Sequence, residues 1–137
     1  MITLFYSNKS FIKLEKDILY INIEFINNNN IELITILEYL KNIFLLTKEN
    51  NNKYFFHINI INIYVLNKKS INIILLVLNE LKNILISNLH STCLIIKSNY
   101  LLTIIKPILN EYDNCRPFKI CNNTEEAMQF FKLNKLN

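Results

Sequence analysis

Tyr54–Leu66 reads YFFHINIINIYVL, Asn67-Lys68-Lys69-Ser70 follows, and Ile71–Asn88 then reads INIILLVLNELKNILISN. Aromatic and β-branched residues dominate the first run, which suits a pleated, largely buried strand. It is too apolar for a strand open to water on both faces. In the third run the period changes, with apolar residues covering nearly the whole helical circumference. That predicts a helix packed against both a sheet and a neighbouring helix. Ser70 stands where an N-cap belongs. Strand, turn and apolar helix in succession form half of a βαβ unit, and the same alternation should recur on either side.

It does. Upstream, Ile2–Tyr6 and Phe11–Leu14 read as short strands of an edge hairpin. Ile18–Phe25 reads as a strand with Tyr20, Asn22 and Glu24 on one face and Leu19, Ile21, Ile23 and Phe25 on the other. Asn30 is placed to cap a helix from about Ile31 to Thr47, whose apolar stripe is Leu33, Ile34, Leu37, Leu40 and Phe44. Downstream, Thr92–Lys97 reads as a central strand and Asn99–Tyr112 as a helix kinked or ended at Pro107. Phe118–Cys121 is the last strand. Asn123-Thr-Glu-Glu126 matches a capping box that opens a helix over Glu125–Leu133. The expected fold is one α/β domain over residues 1–137, a mixed and mostly parallel sheet of about 4–6 strands with four helices.

The chain has 137 residues, no glycine, no tryptophan, one alanine (Ala127) and one arginine (Arg116). Residues with AT-rich codons replace them, which points to an AT-rich source genome. Without glycine, neither a P-loop nor a dinucleotide fingerprint can form, because both bring backbone amides against phosphate where a Cβ would intrude. Asparagine, which tolerates the left-handed conformation, must mark the turns, most clearly at Asn27–Asn30 and Asn50–Asn52. A hydrophobic fraction of 51% with 19% charged residues is globular. Ile71–Ile86, interrupted by Asn72, Asn79, Glu80, Lys82 and Asn83, is short for a membrane span and reads as a buried helix. Asn8, Lys9 and Lys13 break the apolar start before a secretory signal develops. The odd set Cys93, Cys115 and Cys121 then fits free thiols in a reducing, intracellular, cytoplasmic setting.

The search for chemistry returns little. His90-Ser-Thr-Cys93 has a local two-ligand spacing, but no second pair completes a zinc site, so no metal and no cofactor is expected. Cys115 and Cys121 flank a strand and read as two free thiols. The two aspartates, Asp17 and Asp113, fall at the ends of elements. Glu125 and Glu126 suit the positive end of a helix dipole. No catalytic residue, and so no enzyme, is expected. The net charge of +4 rests on fourteen lysines and one arginine, and the lysines are scattered, so no specific nucleic-acid binding is expected.

The pattern from about Leu14 to Phe131 resembles the STAS domain, the fold of the anti-sigma factor antagonists and of the cytoplasmic tails of sulfate transporters. That family carries a hydrophobic strand with an Asp, then seven residues, then Asp-Ser-Ser-Gly opening an apolar helix. Here Asn59 and Asn67 stand at the two Asp positions, Lys68 and Lys69 at the two Ser positions and Ser70 at the Gly position. Cys93–Ile96, Phe118–Ile120 and Asn122-Asn-Thr-Glu-Glu-Ala-Met128 are similar to the family's later elements. The resemblance implies a regulatory module that docks a protein partner through Asn67, Lys68, Lys69 and Ser70. It also implies a lost phospho-switch, since a lysine cannot accept phosphate from a serine kinase. The alternative is a structural subunit of a larger assembly, such as a virion, organellar ribosome or other particle. The mean hydropathy of +0.19 leaves apolar surface for a neighbour, or for self-association into an oligomer, to cover.

Overall fold

The structure, a computed structural model, describes residues 1–7, 10–24, 31–61, 68–96, 99, 102–103, 106 and 116–136. The alternating and aliphatic runs become six strands: β1 (Ile2–Ser7), β2 (Ser10–Glu15), β3 (Ile18–Glu24), β4 (Tyr54–Ile61), β5 (Leu89–Ile95) and β6 (Phe118–Cys121). The 3.6-residue patterns become α1 (Ile31–Asn50), α2 (Lys68–Asn88) and α3 (Thr124–Leu133). All six strands lie in one sheet in chain order. The first three pair antiparallel, and β3 to β6 run parallel. This is the expected α/β class with a mixed, mostly parallel sheet. Three helices are described where four were expected. The one expected over Asn99–Tyr112, with Pro107, lies largely outside the described residues, as do Asn30 and the end of the expected Tyr54–Leu66 strand.

Side-chain alternation sorts the sheet into two faces. Leu19, Ile21 and Ile23 of β3, Phe56 of β4 and Leu94 of β5 point to the face covered by α1 and α2, where they join Leu33, Ile36, Leu37, Leu40, Phe44, Leu81 and Leu85. Both helices sit on one side, as crossovers of one hand advancing in one direction across a sheet require. Phe44 is fully buried and stands edge-on to Phe56 at 5.0 Å and to Tyr54 at 6.4 Å between ring centroids. The α1 stripe differs from expectation at one position: Ile36 is buried and Ile34 exposed. Ile36 follows Leu33 by three residues and precedes Leu40 by four, so it shares their face, whereas Ile34 lies a quarter turn outside it.

The other face is smaller. There α3 places Ala127 and Phe131 over Phe55, Cys93, Ile95 and Cys121. Asn123 caps α3, its side chain accepting from the Glu126 amide at 2.9 Å while the Glu126 carboxylate accepts from the Asn122 amide at 3.0 Å. The capping expectation for this helix is met. Asparagine also replaces glycine as foreseen: Asn51, just past α1, takes φ 56°, the left-handed position that ends many helices. Lys16 takes the same φ in the turn from β2 to β3. Facing Phe55 of β4, β5 carries two residues, His90 and Ser91, where one would match, a bulge. The single arginine, Arg116, closes over it, donating to the Leu89 and His90 carbonyls at 3.0 and 3.1 Å.

Two expectations about α2 are corrected. It begins at Lys68, so Ser70 lies inside the first turn and is buried instead of serving as the N-cap. At 21 residues it is longer than expected and is not buried all round: Leu76 and Ile86 are exposed, while Leu81 and Leu85 face α1 and the sheet. By length and composition alone it is long and apolar enough to cross a membrane, a test that core helices of α/β proteins also pass. Its apolarity reflects composition more than burial, because isoleucine and leucine occupy even its outer side. Lys41 of α1 reaches Glu80 of α2 at 2.7 Å across the exposed seam between the helices.

Replacing Phe44 by alanine removes the ring against which Tyr54 and Phe56 both stand. We expect Phe44→Ala to lose about 3–5 kcal/mol of stability, read as a lower urea midpoint with an unchanged slope. A loss below about 1 kcal/mol would contradict this placement of the core.

Candidate functional site

The four positions expected to dock a partner divide in the structure. Lys68 and Lys69 are exposed in the first turn of α2. That turn holds no acidic residue, so two positive charges sit at the positive end of the helix dipole. Ser70 is buried, its hydroxyl turned from solvent. Asn67 lies outside the described residues. The two lysines stand beyond the carboxyl end of β4, the side of a parallel sheet where ligands and partners of α/β proteins usually bind.

Asn59, the residue at the family's first Asp position, points away from these helices, to the α3 side of the sheet. In register with Asn22 of β3, it donates from Nδ2 to Asn22 Oδ1 at 2.9 Å. Asn22 is buried, so this amide pair closes one unit of buried polarity that would otherwise be costly. Beside it runs a second row: Lys13 of β2, Tyr20 of β3 and His57 of β4 are successive cross-strand partners. The Tyr20 and His57 rings lie 4.9 Å apart, and Lys13 Nζ sits 4.4 Å from the centre of the Phe11 ring. His57 Nε2 is 3.1 Å from Thr124 Oγ1 at the start of α3. Burial pushes the His57 imidazole below its ordinary pKa, so it is neutral near pH 7. Burial, aided by Glu15, pushes the Tyr20 phenol up. The result is a polar and aromatic strip on the half of the sheet that α3 does not cover.

This strip escaped the sequence reasoning. The signal was present as Tyr20, Asn22, His57 and Asn59, residues of like parity on two strands, but only the parallel register shows that they meet. His90 and Cys93, whose spacing alone reads as too little for a zinc site, have separate surroundings. His90 stacks on Phe55 at 4.4 Å and accepts from the Leu136 amide through Nδ1 at 2.8 Å. Cys93 lies under Ala127. Of Cys115 and Cys121, which read as two free thiols, Cys115 lies outside the described residues, and Cys121 adjoins Cys93. Among the described residues no three His, Cys, Asp or Glu side chains gather where they could hold a metal ion.

Burial lowers the pKa of His57 and of His90 below the ordinary 6.5, so near pH 6 the unfolded chain binds more protons than the folded one. The stability owed to neutral imidazoles is therefore complete above the unfolded value and lost as pH falls through the depressed folded values. The urea midpoint should be lower at about pH 5 than at about pH 7.5, and His57→Gln should narrow the gap. An equal or higher midpoint at the acid pH would contradict the burial of these rings.

Comparison of the chain with protein-family models, with curated proteins and with solved structures finds no match in any of the three.

Proposed function

We propose that the chain is a non-enzymatic, STAS-like interaction module of the cell interior that docks an acidic surface of a protein partner through Lys68 and Lys69. The observation that carries this is the exposed lysine doublet in the first turn of α2, with no acidic residue in that turn to offset it. A partner's carboxylates would be drawn to both the ammonium groups and the helix dipole. Support comes also from the order of elements, βββ-α-β-α-β followed by β-α, into which the resemblance at Asn59–Ser70 fits. Exposed Leu76, two turns along the same side of α2, offers an apolar contact next to the charged turn. With lysine at both serine positions, such a module would bind constitutively, without a phosphorylation switch.

Affinity capture with the wild-type chain, Lys68→Glu/Lys69→Glu and the control Lys132→Glu/Lys135→Glu tests this. The proposal expects a partner recovered equally by wild type and control, depleted at least about tenfold by the α2 double variant, and released by salt. A partner set unchanged in the α2 variant would rule out that surface.

A second reading, a subunit of a larger assembly, rests on a different edge of the molecule. At the β6 edge the strand is four residues long and Lys119 is exposed, whereas β1 at the other edge has no charged residue and exposes Ile2 and Tyr6. Short strands and lysines guard sheet edges against pairing, and β1 has neither protection. Sedimentation velocity at tens of micromolar is expected to show association under this reading. A stable monomer would eliminate it.

A further inference from the structure

Beneath α3, strands β5 and β6 bring two cysteines together that stand 28 residues apart in the chain: the Cys121 thiol donates to Cys93 Sγ at 3.3 Å. The register explains the meeting. Cys93 pairs with Lys119 and Ile95 with Cys121, so the cysteines are diagonal neighbours on one face of adjacent parallel strands. Both are buried, and the backbone carbonyl of Ala127 in α3 lies 3.9 Å from Cys93 Sγ. At 3.3 Å the sulfurs are in contact but not bonded, and because diagonal neighbours on parallel strands stand about 8 Å apart at Cα, closing the bond also requires β5 and β6 to shift locally.

We propose that Cys93 and Cys121 are an oxidisable dithiol that closes to an intramolecular disulfide when the protein meets a small disulfide or peroxide oxidant. With oxidised glutathione, one cysteine thiolate attacks a glutathione sulfur and expels the other half as thiolate. The second cysteine thiolate then attacks the protein-bound sulfur and expels the remaining glutathione. Two protons leave the cysteines and two electrons reduce the oxidant. Burial pushes the Cys93 thiol above its usual pKa, so Cys93 is unreactive while α3 is seated. Reaction requires α3 to lift, and this ten-residue helix buries only Ala127 and Phe131 against the sheet. Oxidation would therefore join β5 to β6 under conditions that loosen α3, and the bond would persist after it reseats.

The test uses the full chain carrying Cys115→Ser, which leaves Cys93 and Cys121 as its cysteines, incubated with oxidised glutathione at about pH 8.5, where thiolate forms. After alkylation in denaturant, mass spectrometry should find a product lacking two hydrogens and carrying no alkyl group. Digestion should yield a peptide joining Cys93 to Cys121, and dithiothreitol should restore two alkylatable thiols. Cys93→Ser and Cys121→Ser in the same background should each stop at one bound glutathione. The unsubstituted chain gives an independent readout, since its digest separates a Cys93–Cys121 peptide from any peptide containing Cys115. Two alkyl groups retained after oxidation, a glutathione on each cysteine, or links only between chains would each overturn the proposal.

Discussion

Phe44 of α1, held edge-on against Phe56 and Tyr54 of β4, sits where the helical layer meets the centre of the sheet, and most of the architecture depends on that contact. Burying these rings removes apolar surface that a parallel strand such as β4 cannot leave in water. Once β4 is covered from this side, β3 and β5 must flank it in parallel, because α1 and α2 are the crossovers that return the chain to the same end. The seam between α1 and α2, tied by Lys41 and Glu80, follows from two crossovers placed side by side.

The two faces of the sheet then have different tasks. One is apolar from β2 to β5 and is closed by two long helices. On the other, among the described residues, a ten-residue helix covers β4 to β6 and leaves the strip of Lys13, Tyr20, His57 and the Asn22–Asn59 amide pair beside it. These polar side chains are tolerated on this face because they find partners: Asn59 with Asn22 across the strands, the His57 imidazole with the Thr124 hydroxyl of α3, and the Lys13 ammonium with the Phe11 ring of its own strand. The absence of glycine is absorbed in a similar way. Asn51 and Lys16 take the left-handed conformations, and Arg116 satisfies the carbonyls exposed by the bulge in β5.

Lys68 and Lys69 stand apart from that pattern of local compensation. The first turn of α3 carries Glu125 and Glu126, the charge that suits a helix N-terminus, whereas α2 begins with the opposite charge. That contrast within one chain is the ground on which the proposal places an acidic partner at the α2 turn and not at the polar strip.

Much was decided by the sequence alone. Periods of two and 3.6 residues marked the strands and helices, Asn123 and Glu126 marked the start of α3, and the lack of glycine excluded two classes of phosphate site, all because local geometry depends on neighbouring residues. Boundaries shifted where the flanking residues were ambiguous: α2 took in Lys68–Ser70, since nothing in those side chains forbids helix, and Ser70 moved from cap to interior. Only the tertiary structure decided which side chains meet. Asn22 with Asn59, Tyr20 with His57 and Cys93 with Cys121 are contacts between strands far apart in the chain. They depend on register, and a shift of one residue would have sent every one of them to the opposite face.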